Sequence, residues 1–311
     1  MKITDIHTHG IGGYDTRTAT EEDILKIAEI QGAHGVDGVV LAVYPSAIGE
    51  MRMQMETIKK AMLVQQSSPD MHRGGRRNQA DNQYVYSLPA SQESGPARIA
   101  GIHLEGPFLN PSQAGSLRPG TFVEPSEYLF RELTEGFEDI VKIITIAPEI
   151  PGALPLIRHM ADTGVTVSMG HSDATYVEAE MGFHAGAKGI THTFNAMRGF
   201  HHREPGIAGF GILNRNIYVE VIADPFHLHN GVIELIFRMK NPEKIIIVSD
   251  TVKETGRAIS HSGVRNDSGK LLGGSMAVTE SAERLIRKGY DRGLIFSCIT
   301  DNPQAYLSGL L

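Results

Sequence analysis

Short runs of β-branched and apolar residues recur along this chain, and between them lie longer segments whose apolar residues follow a helical period. Eight runs have this character: Lys2 to His7, Asp37 to Val43, Arg98 to Leu104, Ile140 to Ala147, Val165 to Met169, Gly189 to Thr193, Ile217 to Ile222 and Lys244 to Ser249. Helices are expected at Glu21 to His34, Ile48 to Gln65, Ser126 to Glu135, Leu154 to Thr163, Tyr176 to Ala185, Gly231 to Met239 and Thr279 to Lys288, while the sixth crossover has no clear helical pattern. Ser126 and Asp173 offer N-cap oxygens, and Pro151 and Pro155 sit where helix entry tolerates a missing N–H. Strand-then-helix units in this number and length predict an α/β protein, one (β/α)8 barrel over residues 1–311, with its active site on the loops that follow the strands.

One stretch breaks the pattern. Gln65 to Gly95 is polar with no apolar period and is expected to be a mobile insertion, and its Arg-rich piece His72 to Arg77 reads as a solvated loop. The remainder is ordinary for a globular protein, 41% hydrophobic and 21% charged. A net charge of -7 argues against nucleic-acid or anionic-membrane partners, which need a broad cationic surface, and favours a small molecule. Runs such as Ile245 to Val248 are too short to span a bilayer. The single cysteine, Cys298, allows no internal disulfide, and no basic start precedes an apolar stretch, so a cytoplasmic location is expected.

Histidine is the unusual residue, with 14 copies in a chain without Trp, several of them beside the β-branched runs. Asp5-Ile6-His7-Thr8-His9 puts two imidazoles two positions apart at a strand end, so both project to one face, the barrel interior. Such a pair alone is more often structural. Here Glu105 follows the third run, His171 the fifth, His192 lies at the end of the sixth and Asp250 follows the eighth, so six metal-competent side chains fall at one rim. Imidazole plus carboxylate suits zinc, iron or manganese, and points to a barrel of the metal-dependent hydrolase type.

Longer motifs carry a resemblance. His103-Leu104-Glu105-Gly106-Pro107-Phe108, Gly170-His171-Ser172-Asp173-Ala174-Thr175, Thr191-His192-Thr193-Phe194-Asn195-Ala196-Met197 and Arg203-Glu204-Pro205-Gly206 resemble the N-acetylglucosamine-6-phosphate deacetylases of the amidohydrolase superfamily. Ala147-Pro148-Glu149, Ser249-Asp250, Gly273-Gly274-Ser275 and Asn302-Pro303 extend the likeness over nearly the whole chain. It covers the barrel, and no counterpart of the β-sandwich that flanks the barrel in that family is expected in these 311 residues.

The resemblance implies one or two divalent ions, one on Glu105, His171 and His192, the other on His7, His9 and Asp250 with Glu105 bridging. A divalent cation can lower the pKa of bound water from about 15.7 towards about 7 and polarise an amide oxygen. Asp250 would take the water proton and pass it to the leaving amine. For an amino sugar phosphate, the resemblance assigns Arg203 to the phosphate, across a homodimer interface, Asn195 and the Ala196 N–H to phosphate or hydroxyl oxygens, and His227 to the sugar. His201 and His202 receive no role. Two positions differ from the family pattern: Leu117 replaces a sugar-contacting histidine, and Pro225 replaces the glycine of Asp-Gly-x-His. Deacetylation of N-acetylglucosamine 6-phosphate is therefore the leading expectation, with a different N-acyl sugar or amino acid, or a non-catalytic sugar-phosphate-binding paralogue, as alternatives.

Overall fold

The structure, a computed structural model, describes residues 2–67, 95–257 and 262–308. Each of the eight apolar runs carries one strand, the first and third passing their run by one residue: β1 (Thr4–Thr8), β2 (Gly38–Val43), β3 (Arg98–Glu105), β4 (Val141–Ile146), β5 (Thr166–Met169), β6 (Gly189–Ile190), β7 (Tyr218–Ile222) and β8 (Ile245–Val248). They pair in parallel, in chain order. Side chains join β8 to β1: Asp5 Oδ1 accepts from Ser249 N at 3.2 Å and from His7 N at 3.3 Å, and Thr8 and Thr251 share a hydroxyl contact of 2.7 Å. At the opposite end of the seam, Ile247 N donates to Cys298 O and Thr4 N to Ile299 O, so a late segment ties both strands. This is the expected (β/α)8 barrel.

The seven expected helices form as α1 (Glu21–Ala33), α2 (Ile48–Ser67), α3 (Glu127–Thr134), α4 (Ala153–Asp162), α5 (Tyr176–Ala185), α7 (Asn230–Met239) and α8 (Val278–Arg287). The sixth crossover is also helical, α6 (Gly206–Leu213), and residues Gly206 to Ile212 are all buried, so no polar face marks its period in the sequence. Ser126 caps α3 as expected. Asp173 does not cap α5: Thr175 does, in a capping box with Glu178, because it stands immediately before the first helical residue, and Asp173 pairs with Arg198 instead. Two further helices, α9 (Arg292–Ser297) and α10 (Asp301–Ser308), end the described chain. The expected insertion at 65–95, with the Arg-rich 72–77, lies outside the described residues from 68 to 94. Gln65 belongs to α2, where its amide pairs with the backbone of Ala97 and Ile99. Among the described residues no helix is long and apolar enough to cross a membrane.

Alternation along the strands builds the interior in layers. Outward residues such as Leu104, Ile144, Val167, Val219 and Ile247 pack under the helices. Inward, Val40, Ile143, Ile222, Ile246 and Val248 fill one end with Tyr306 of α10 as a plug. A polar layer lies above: His103 Nε2 to Thr145 Oγ1 is 2.8 Å, Thr145 to Thr191 is 2.8 Å, and Thr191 to Ser168 is 2.7 Å. The titratable cluster sits on that layer, at the C-terminal strand ends.

Candidate metal centre

All six side chains expected to bind metal converge. Glu105, the last residue of β3, is at the centre and 3% exposed. Its Oε1 lies 3.0 Å from His171 Nε2, 3.1 Å from His192 Nε2 and 3.6 Å from His7 Nε2, and its Oε2 lies 3.2 Å from His9 Nε2. Asp250 Oδ1 is 3.6 Å from His7 Nε2 and 3.7 Å from His9 Nε2, so it joins the half of the cluster built on β1. The backbone bends to aim these groups. His171, His192 and Asp250 each follow a strand end with φ of +46°, +30° and +48°, a left-handed conformation that costs a non-glycine residue on the order of 1 kcal/mol. The Asp250 N–H holds its bend by donating to His7 O at 2.8 Å.

Proton accounting favours a cation in the centre. His171 Nδ1 faces the Gln113 carbonyl at 2.9 Å, and a carbonyl only accepts, so Nδ1 carries the hydrogen and a neutral ring points a bare Nε2 at Glu105. His7 repeats this, with Nδ1 on the Glu220 carboxylate at 3.1 Å and Nε2 buried without a hydrogen-bond partner. Lone pairs at 3.0 to 3.7 Å repel unless positive charge lies among them, and this is about the ligand–ligand spacing around an ion with bonds of roughly 2.1 Å. Burial pulls the His7 imidazole down, yet Glu105, Glu220 and Asp250 outweigh it and hold His7 well above the ordinary histidine range. Burial likewise raises Glu105, but His9 and His171 hold it well below the carboxylate range. Both shifts express one demand for positive charge, which a divalent ion meets. Two of the three groups that satisfy the geometry, His7–His9–Glu105 and Glu105–His171–His192, are built from the expected ligands.

Above the cluster opens a cleft of about 340 Å³ lined by His9, Glu105, His171, His192 and Asp250. Asn195, Ala196 and His227, expected to bind substrate, also line it, as does Leu117. Ala196 has φ of +48°, and His227 Nδ1 is held by Asp224 at 3.0 Å. Arg203 is exposed and is not among the residues lining the cleft. Instead Arg265 and Lys270, from the hairpin strands Val264–Arg265 and Leu271–Gly273 and the turn between them, supply cations. Arg265 is steadied by donating from Nε to Ser262 O and from Nη1 to Gly269 O.

Sequence reasoning did not single out four other residues. Tyr44 stacks on His9 at 3.8 Å between ring centres, and Arg17 lies over Tyr44 at 3.9 Å. Asp224 accepts from His227 and from Ser275 N and Oγ, and although burial raises it, His227 holds it below the carboxylate range. Glu220 lies behind His7; a lone glutamate amid the apolar residues Val219 and Val221 was its one signal.

No family model matches the chain. It is similar to the N-acetylglucosamine-6-phosphate deacetylase of Lysinibacillus sphaericus, 31% identical over 207 residues that cover 63% of this chain and 54% of that protein. To the N-acetylgalactosamine-6-phosphate deacetylase of Escherichia coli O157:H7 it is 33% identical over 208 residues, 63% of this chain and 55% of that one. The chain thus spans about half the length of these curated relatives. In fold it matches an aspartate-to-alanine mutant of the Mycobacterium smegmatis N-acetyl-D-glucosamine-6-phosphate deacetylase, solved in complex with N-acetyl-D-glucosamine 6-phosphate, with a TM-score of 0.81 at 23% identity over 99% of this chain and 77% of that one. The sequence relatives and solved structures thus agree on the N-acetylglucosamine-6-phosphate deacetylases as the group this chain is most simply compared with, and the architecture it shares with them is the (β/α)8 barrel.

Proposed function

We propose that this chain is the catalytic barrel of a metal-dependent deacetylase that hydrolyses the acetamide of an N-acetylated amino sugar phosphate, with N-acetylglucosamine 6-phosphate as the leading substrate. The observation that carries the reading is the convergence of His7, His9, Glu105, His171, His192 and Asp250 beneath one open cleft. One or two divalent ions of zinc, iron or manganese would be held there, and when bound would acidify water and polarise the acyl oxygen. Asp250 reaches into the cleft and is the one carboxylate of the cluster with appreciable exposure, 14% of its side chain. It takes the water proton as the new carbon–oxygen bond forms and returns it to nitrogen as the carbon–nitrogen bond breaks, releasing acetate and the free amine. Asn195, Ala196 and His227 would hold sugar oxygens, and the phosphate would lie at the cleft mouth toward Arg265 and Lys270. Arg203 would act only on the cleft of a second copy, in a homodimer. The cytoplasm remains the location this reading carries.

The E. coli relative acts, by its name, on the galactosamine epimer, so N-acetylgalactosamine 6-phosphate is the second substrate to examine. The test is acetate release from both sugar phosphates and their unphosphorylated forms by metal-loaded protein. Asp250→Asn is expected to lose on the order of 10²- to 10⁴-fold in turnover with its metal content kept by elemental analysis. Undiminished acetate release by this variant would remove Asp250 from the chemistry, and no release from any substrate by wild type would end the deacetylase reading.

A further inference from the structure

Behind the two ligand groups lies a third cluster of the right composition, His7, His103 and Glu220, all buried. Its hydrogen bonds argue against a third ion. Both ring nitrogens of His103 are engaged, Nδ1 at 3.3 Å from the Ile6 carbonyl and Nε2 at 2.8 Å from Thr145 Oγ1, so His103 has no free lone pair to give. His7 would also have to turn its Nε2 away from Glu105 and Asp250, each 3.6 Å from it, to serve an ion there.

Glu220 is 1% exposed on β7, and its Oε2 accepts from His7 Nδ1 at 3.1 Å and from His192 N at 3.3 Å. Its backbone carbonyl accepts from Thr193 N at 2.8 Å. One carboxylate thus touches a ligand from each half of the centre, the side chain of His7 and the backbone of His192. We infer that Glu220 is a positioning residue for the metal centre: it fixes the proton of His7 on Nδ1, so that Nε2 is bare and faces the cluster, and it anchors the bend that presents His192. A carboxylate behind a ligating histidine orients the ring and makes its other nitrogen a better donor, and loss of such a partner typically weakens metal binding 10- to 100-fold. No other side chain bonds His7 Nδ1 among the described residues.

The inference rests on the metal reading of the cluster, and the test separates the two. Zinc affinity is measured by chelator competition with elemental analysis on wild type, Glu220→Gln and Glu220→Leu, and the zinc-loaded wild type is labelled with ¹⁵N-histidine for NMR. His7 is expected to carry its proton on Nδ1. Glu220→Leu is expected to hold the His7-side ion roughly 10- to 100-fold more weakly and to weaken the ion on Glu105, His171 and His192 by less, because His192 loses one backbone hydrogen bond there while its ring stays in place. Glu220→Gln, of the same shape, is expected to weaken it less and gives the answer if the leucine variant does not fold. A His7 proton on Nε2, or affinities in Glu220→Gln and Glu220→Leu equal to wild type, overturns the role. Wild type that takes up none of zinc, iron or manganese overturns the metal reading itself.

Discussion

At the scale of single residues, the cleft makes a specific statement about anion recognition. Arg203, expected to meet a phosphate across a homodimer interface, is exposed and does not line the cleft of its own chain, and Arg265 is the arginine that lines it. Two backbone carbonyls hold the Arg265 guanidinium, and no carboxylate pairs with it among the described residues, so its remaining N–H groups are oriented for an incoming anion. A charge-assisted hydrogen bond is worth about 1.5–3 kcal/mol. Arg265→Ala is therefore expected to raise KM for the phosphorylated sugar by roughly ten- to a hundredfold, with kcat and the KM of the unphosphorylated sugar little changed. Steady-state kinetics on the two substrates read this directly. If Arg203→Ala produces that selective loss and Arg265→Ala does not, the phosphate is held by a second copy of the chain and the hairpin is a bystander.

At the scale of elements, the sequence disclosed what depends on local pattern and missed what depends on burial. Six of the eight strands fall within their apolar runs and β1 and β3 pass theirs by one residue, because a barrel strand is apolar over several residues whatever its neighbours do. α6 escaped because a helix buried all round has no polar stripe, and Asp173 does not cap because the choice between it and Thr175 turns on two residues of register. The six ligands were legible because each lies at or just past a strand end, whereas Glu220 and Tyr44 act through contacts with residues far off in the chain. Lys240 is a further case. It ends α7 buried, at 2% exposure, with Nζ donating to the carbonyls of Asn214 and Ile217 between α6 and β7. Burial, with Lys244 and Arg215 nearby, lowers its pKa to about 8 against an ordinary 10.5. A folded-state value below the unfolded one means that the neutral amine favours the fold. The corresponding stability is present above about pH 10.5 and is lost as pH falls through 8, by at most about 3 kcal/mol. Urea unfolding at intervals from pH 8 to 10.5 is expected to show wild type gaining stability relative to Lys240→Met across this window, and parallel profiles would refute the lysine's part in it.

At the scale of the whole molecule, one end of the barrel is stabilised by apolar packing and the other by charge. Val40, Ile143, Ile246 and Tyr306 fill one end, while four imidazoles and two carboxylates crowd the other, buried almost completely. Such a cluster is unfavourable without positive charge at its centre, because the lone pairs of His7 and His171 face the Glu105 carboxylate. The ligands come from β1, β3 and the loops after β1, β5, β6 and β8, so one ion would cross-link three of the eight strand ends and two ions five, among them the seam where side chains join β8 to β1. Binding to the folded state alone stabilises by RT ln(1 + [L]/Kd), about 4 kcal/mol at a thousandfold excess over Kd. Stripping the protein with a chelator is therefore expected to lower Tm by on the order of 5–15 °C, with recovery on adding back zinc or manganese. The Arg265→Ala variant, altered only at the cleft mouth, should show the same drop, and His171→Ala a smaller one because its site starts incomplete. Differential scanning calorimetry with and without chelator decides it: a Tm indifferent to chelation in protein that elemental analysis shows to have been loaded would mean that the strand ends are held together by the protein's own bonds and that the ion serves chemistry alone.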